Sequence, residues 1–332
     1  MLDSVPQVVL IALAILAGFA GLIWSADRFV AGSAAIAKSF GVAPLVIGLT
    51  IVSFGTSAPE IMVSISASLK GAGDLAVGNA LGSNIANMGL VLAATALVAT
   101  IPVQRHLLKD ELPILFLVCL VAGFFLYDSV LSRWESAALL IGLVPAIYYL
   151  VRMKQGELSA TEIAEEEAIP EMSRTRAFGW FLIGLAALML SSEVLVWGAK
   201  TAAALAGVSP LVIGLTVIAL GTSLPELAAS MVSALKGHHD IALGNILGSN
   251  MFNLMAVMSI PGLAKPLTMD DDVFARDYGA MMALTVLLAL LIGISFWMSK
   301  KASGEGALGK TAGIFLLCGY IAYYLVLYKT AA

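Results

Sequence analysis

Two cysteines and three histidines in 332 residues leave little material for thiol chemistry or soft-metal binding. Cys119 and Cys318 each stand alone in an apolar stretch, which reads as packing and not as a disulfide or a metal pair. His106, His238 and His239 lie between apolar runs, and no His-Glu-x-x-His stretch or Ser/His or Cys/His pairing suggests an enzyme. Charge is scarcer still: 12% of residues are charged, against about 25% in a soluble domain. That excludes a separate soluble domain and a basic nucleic-acid surface. What is present is apolar, 60% of the chain, with a mean hydropathy of +0.97. The stretch from Met1 to Trp24 lacks the basic start of a signal peptide and reads as part of a first helix. The composition predicts an all-α polytopic membrane protein whose necessary partner is the lipid bilayer.

About 20 apolar residues cross a bilayer as a helix. On that scale ten spans are expected, near 7–36, 43–69, 75–99, 112–127, 134–152, 177–205, 209–235, 241–264, 277–298 and 308–328. Between the fifth and sixth lies a linker, 153–176, carrying Glu157, Glu162, Glu165, Glu166, Glu167 and Glu171. Ten spans place Lys38, Arg105, Lys109, Arg152, Lys154, Arg174, Arg176, Lys236, Lys300, Lys301 and Lys310 on one side. Lys70, Arg133, Lys200, Lys265, Arg276 and Lys329 fall on the other. The richer side is expected to be cytoplasmic, so both termini are expected outside and the acidic linker inside.

The two halves repeat. One constant shift along the chain turns Pro44–Thr50 (PLVIGLT) into Pro210–Thr216, letter for letter. Over residues 41–90 and 207–256, 27 of 50 positions are identical without a gap. The same shift carries Asp27 onto Glu193. The expected organisation is a first five-helix repeat, 1–152, the linker 153–176, and a second five-helix repeat, 177–332. Five spans is an odd number, so the second repeat must enter from the opposite face. Inverted repeats of this kind are a feature of secondary transporters, which bind their substrate near the midplane between repeats.

Each repeat carries one acid inside an apolar run: Gly55-Thr56-Ser57-Ala58-Pro59-Glu60 and Gly221-Thr222-Ser223-Leu224-Pro225-Glu226. An acid at membrane depth is expensive and marks function by default. On a helix, Thr56 and Ser57 share a face with Glu60. Pro59 has no N–H for the carbonyl four residues back, so a broken helix with freed carbonyls is expected at each motif. The next span repeats a second polar cluster, Gly78-Asn79-Ala80-Leu81-Gly82-Ser83-Asn84-Ile85-Ala86-Asn87, matched by Gly244 to Asn253. Ser83 with Asn87, and Ser249 with Asn253, fall in register with the acids. The paired glycines of each cluster, four apart, suit close helix approach. Carboxylate, hydroxyl, amide and carbonyl oxygens together suit hard cations such as Na⁺ or Ca²⁺, not zinc or copper. Two close carboxylates without a cation would hold a proton between them.

At these residues the chain resembles the calcium/cation antiporters, and in particular the prokaryotic sodium/calcium exchangers with two α-repeats. The resemblance covers essentially the whole chain. It implies ten helices with outward termini and exchange of several Na⁺ for one Ca²⁺ by alternating access, with no cofactor and no obligatory protein partner. It implies that Glu60, Glu226, Thr56 and Thr222 bind Ca²⁺. It assigns Ser57, Ser223, Ser83, Ser249, Asn87 and Asn253 to Na⁺, with the backbone carbonyls of Ser53 and Ala219. Several family members, potassium-dependent ones included, have Asp where this chain has Asn253, which argues against K⁺ dependence. The resemblance also suggests that the first and sixth spans slide past the rest, aided by small residues such as Gly18, Gly21, Gly32 and Gly198.

The nearest alternative is a Ca²⁺/H⁺ antiporter, whose relatives place an acid within the Gly-Asn stretch, neutral here. A channel would need a continuous pore, usually ringed by several subunits, which an inverted repeat within one chain does not favour.

Overall fold

The computed structural model describes residues 5–153, 169, 171–208, 217, 219–270, 272–298 and 306–331. It is almost wholly helical. A long first helix, α1, runs Val5–Phe40. The next apolar stretch is broken into α2, Pro44–Thr56, and α3, Ala58–Leu69, with a bend of 43° between them. Helix α4, Gly73–Ala86, continues through a π-helical turn, Asn87–Leu92, into Ala93–Val98. Then come α5, Leu112–Leu126, and α6, Arg133–Met153.

The second half follows the same order. Helix α7 is Arg174–Leu205, α8 Ala219–Thr222 and α9 Leu224–Leu235. Helix α10, His239–Phe252, again passes into a π turn, Asn253–Val257, and on into Ser259–Ala264. Helix α11 is Gly279–Met298 and α12 Lys310–Ala331. Even the wide turns obey the repeat: Leu107–Glu111 precedes α5, and Val273–Tyr278 precedes α11.

Seven of the described helices are long and apolar enough to cross a membrane, or eight if the bent α2–α3 pair is one span. The protein is therefore a polytopic helical membrane protein. Residues 154–168 and 170 of the linker and the second PLVIGLT copy, Pro210–Thr216, lie outside the described residues.

Two short ribbons tie the halves together. Ile101–Val103, after α4, pairs antiparallel with Gly306–Leu308, before α12. Val130–Leu131, before α6, pairs with Leu267–Thr268, after the α10 segment. The segment after the third span of each half thus pairs with the one before the fifth span of the other half. Paired strands share a membrane face, and the two ribbons are separated by one helix, α5 or α11. That is the pattern two oppositely inserted repeats produce.

The buried apolar side chains form two groups. One fills a bundle of α4, α5, α6, α10, α11 and α12. The other joins α1 and α7 to parts of α2 and α9. Helices α1 and α7 run antiparallel and in close contact. A Cβ on Gly32 would lie 2.4 Å from the Phe181 backbone nitrogen, one on Gly184 2.4 Å from that of Phe29, and one on Gly18 2.8 Å from that of Leu195. A Cβ on Gly198 would lie 2.8 Å from Ile15 Cγ1. The small residues expected to ease sliding past the bundle instead hold α1 and α7 to each other. Of the two cysteines, Cys119 is buried and Cys318 is exposed on the apolar surface, so only the first is a core packing residue.

Candidate ion-binding site

The helix break forms where the proline requires it. Ser57 leaves helical geometry (φ −81°, ψ 4°), and Pro59 falls in the first turn of α3, where its missing N–H costs nothing. Ser223 does the same before α9 (φ −87°, ψ 4°), with Pro225 in the first turn. Glu60 and Glu226 therefore occupy the first turns of two half-helices. The unpaired N–H groups and the positive end of the helix dipole favour a carboxylate there. The break also frees a carbonyl as expected: Gly221 O accepts from Ser192 Oγ at 3.0 Å. The matched position in α1 is Ala26, which has no hydroxyl to give.

The motif residues converge from both halves. Glu60 and Glu226 are each 1% exposed, and their carboxylates are near enough to repel each other. Partners cross between the repeats. Ser57 Oγ donates to Glu226 Oε1 at 3.3 Å. Thr56 also faces Glu226, and Thr222 faces Glu60. Thr56 Oγ1 lies 3.1 Å from Asn245 Oδ1 and 3.5 Å from Ser249 Oγ. The Ser53 carbonyl accepts from Ser57 N at 3.0 Å and from Thr56 Oγ1 at 3.3 Å. Ser53, Ser83, Ser223, Asn87 and Asn253 are buried with them. Thr222 is half-buried, and Ala219 opens the short helix α8.

The Gly-Asn clusters divide into scaffold and lining. Asn79 Nδ2 donates to the Glu60 carbonyl at 3.0 Å and to Ser64 Oγ at 2.9 Å. Asn245 Nδ2 repeats this on the Glu226 carbonyl at 3.4 Å and Ser230 Oγ at 2.9 Å. These amides fix the backbone beneath each acid. Asn84 Nδ2 donates to the Asn250 carbonyl at 3.2 Å, and Asn87 Nδ2 to Asn250 Oδ1 at 3.2 Å. Sequence reasoning passed over Ser64, Ser230 and Ser192; the signal was present for the first two, a serine four residues after each acid.

Close packing between the halves rests on glycine. A Cβ on Gly244 would lie 2.5 Å from the Leu45 carbonyl oxygen, and one on Gly248 2.5 Å from that of Leu49. Helix α10 therefore meets α2 backbone to backbone, which brings Asn245 and Ser249 against Thr56. Gly78 and Gly82 meet nothing among the described residues.

Several buried polar atoms are left without partners among the described residues: Glu60 Oε2, Glu226 Oε2, Asn87 Oδ1, both side-chain atoms of Asn253, and Ser223 Oγ. Burying such groups unpaired costs energy, most of all for a charged oxygen. Five of these six atoms are oxygens. Among the described residues no cluster of three or more His, Cys, Asp or Glu forms a metal site. The donor set is thus two carboxylates plus neutral oxygens, with a formal charge of −2 that one divalent cation would cancel.

Comparison with known proteins agrees with this geometry. The sodium/calcium exchanger protein family model matches residues 10–152 and 176–329. CaxA of Alkalimonas amylolytica, named as an antiporter, is 45% identical over 95% of this chain and 98% of its own. The inner membrane protein YrbG of Escherichia coli K12 is 39% identical over 95% of each chain. Among solved structures, the sodium-calcium exchanger NCX_Mj soaked with Na⁺ and Sr²⁺ superposes with a TM-score of 0.80 at 30% identity, covering 96% of this chain and 98% of that one. A buried pair of acids from two matched half-helices, in a chain matched along both halves, makes this protein a member of the sodium/calcium exchanger family.

Proposed function

We propose that the protein is a secondary-active antiporter that exchanges Na⁺ for Ca²⁺ by alternating access, with the cations bound at the midplane between the two repeats. The observation that carries this reading is the convergence of Glu60 and Glu226, one from each repeat, with unpaired oxygens on both. Ca²⁺ would be held by Glu60, Glu226, Thr56 and Thr222. Na⁺ would use Ser57, Ser223, Ser83, Ser249, Asn87, Asn253 and the carbonyls of Ser53 and Ala219. The two ion sets meet at the carboxylates, where Ser57 of the Na⁺ set donates to Glu226 of the Ca²⁺ set, so occupancy of one disfavours occupancy of the other, which is what coupling in an antiporter requires. No cofactor and no protein partner is needed. The Lys/Arg bias supports both termini outside, and the likeness to an inner membrane protein of Escherichia coli supports a prokaryotic inner membrane setting.

The test is ⁴⁵Ca²⁺ uptake into proteoliposomes loaded with Na⁺, with external Na⁺, K⁺ and pH varied. Uptake that follows the outward Na⁺ gradient and ignores K⁺ is expected. Uptake sustained without Na⁺ by a pH gradient would replace this reading with Ca²⁺/H⁺ antiport.

A further inference from the structure

The repeat that duplicates the motif acids also duplicates an ion pair, and only one copy is closed. Lys236 Nζ, just past α9, lies 2.6 Å from Asp27 Oδ1 in α1 and 3.4 Å from the Asp27 carbonyl. The shift that relates the two halves carries Asp27 onto Glu193 of α7 and Lys70 onto Lys236. A matched acid and a matched lysine therefore stand at the equivalent places, Glu193 on α7 and Lys70 just past α3. Among the described residues, that second pair is not formed.

Packing is asymmetric in the same sense. Helix α1 lies along α9, whereas α7 makes no comparable packing on α3. Ala228 and Ala229 of α9 are buried with Leu22, Ala26 and Phe29 of α1. Met62 of α3, the match of Ala228, is 64% exposed. Lys70 and Lys236 end half-helices of opposite direction, so the two pairs belong to opposite membrane faces.

We infer that Asp27–Lys236 and Glu193–Lys70 are alternate latches, one closed in each of the two end states of transport. The inference rests on the alternating-access reading above. Helices α1 and α7 are joined along a glycine seam, so they move together. Their motion relative to the bundle opens one acid–lysine pair as it closes the other. The latches are unequal. Arg28 Nε also approaches Asp27, at 3.8 Å, and stacks over Trp180 at 4.9 Å, whereas the position matched to Arg28 is Val194. The extra cation steadies the Asp27 carboxylate on α1, a support that Glu193 lacks, without itself reaching α9. Both members of the closed pair are about one-third exposed, so each latch biases the equilibrium without locking it. The expected effect of breaking one is about a two- to five-fold shift in population.

The experiment uses the full chain in proteoliposomes with Cys119→Ser and Cys318→Ser. Two cysteine pairs are compared, Asp27→Cys with Lys236→Cys and Glu193→Cys with Lys70→Cys, each bridged by a short, reducible bifunctional thiol reagent. Both pairs are expected to bridge, and each bridge should halt Ca²⁺ flux until it is reduced. Adding Asp27→Asn to the second pair should raise its bridging rate about two- to five-fold. Failure of Glu193→Cys with Lys70→Cys to bridge under any Na⁺ or Ca²⁺ condition overturns the inference, as does a bridging rate that Asp27→Asn leaves unchanged. Bridging is read without reference to the driving ion. A protein that bridges as described but takes up Ca²⁺ on a pH gradient would keep the latches and lose only the Na⁺ reading.

Discussion

Ser57 of the first repeat donates to Glu226 of the second, 3.3 Å away, while the matched hydroxyl, Ser223 Oγ, has no partner among the described residues. The two halves of the site are equal in sequence and unequal in use. Ser57→Ala should therefore remove a hydrogen bond to a carboxylate, worth about 1.5–3 kcal/mol, and lower the melting temperature of the ion-free protein. Ser223→Ala should leave the ion-free protein nearly unchanged and reduce only the extra stability conferred by Na⁺. Thermal unfolding with and without Na⁺ separates the two. Equal losses in both variants without ions would contradict the asymmetry.

Glu60→Gln or Glu226→Gln should abolish Ca²⁺ exchange with folding intact. Either change leaves a formal −1 for a divalent ion and removes a charged ligand. Uncompensated burial of charge costs several kcal/mol, so a loss of about a hundredfold or more is expected. Exchange at the wild-type rate, with equal expression and an unchanged elution profile, would remove these residues from the site.

Gly32→Leu should damage the α1–α7 pair before it damages ion binding. Its side chain would meet the Phe181 backbone, already 2.4 Å from an ideal Cβ, and backbone cannot yield as a side-chain tip can. Slower exchange and a lower melting temperature are expected, with the Ca²⁺ affinity of the surviving folded protein retained. A variant that lost affinity while keeping its rate would show that the seam shapes the site directly.

Lowering the pH should weaken Ca²⁺ binding, and raising Ca²⁺ should restore it. Protons and cations compete for the same carboxylate oxygens, and Asn87 and Asn253 do not titrate in this range. The competition should therefore rest on Glu60 and Glu226 alone. Ca²⁺ titration by calorimetry across a pH series checks this. A pH-independent affinity in the wild type would exclude the carboxylates as ligands.

Much of this protein is legible in its sequence. The matched motifs, the break at each Thr-Ser-x-Pro and the two acids follow from local rules: a proline denies a hydrogen bond four residues back, and a carboxylate is not left in lipid without a purpose. The apolar run lengths and the constant shift between the halves fix most of the helices. What the sequence did not carry is which oxygen meets which. Thr56 approaches Asn245 and not Asn79, and Ser57 reaches Glu226 and not Glu60. Gly32 and Gly198 turn to the other long helix and not to the bundle. Helical periodicity fixes the face a residue occupies on its own helix. It says nothing about which helix of the other half will cover that face. The same holds for the two acid–lysine pairs: repetition supplies both, and only the packing of α1 on α9 decides that Asp27 and Lys236 are the pair now closed.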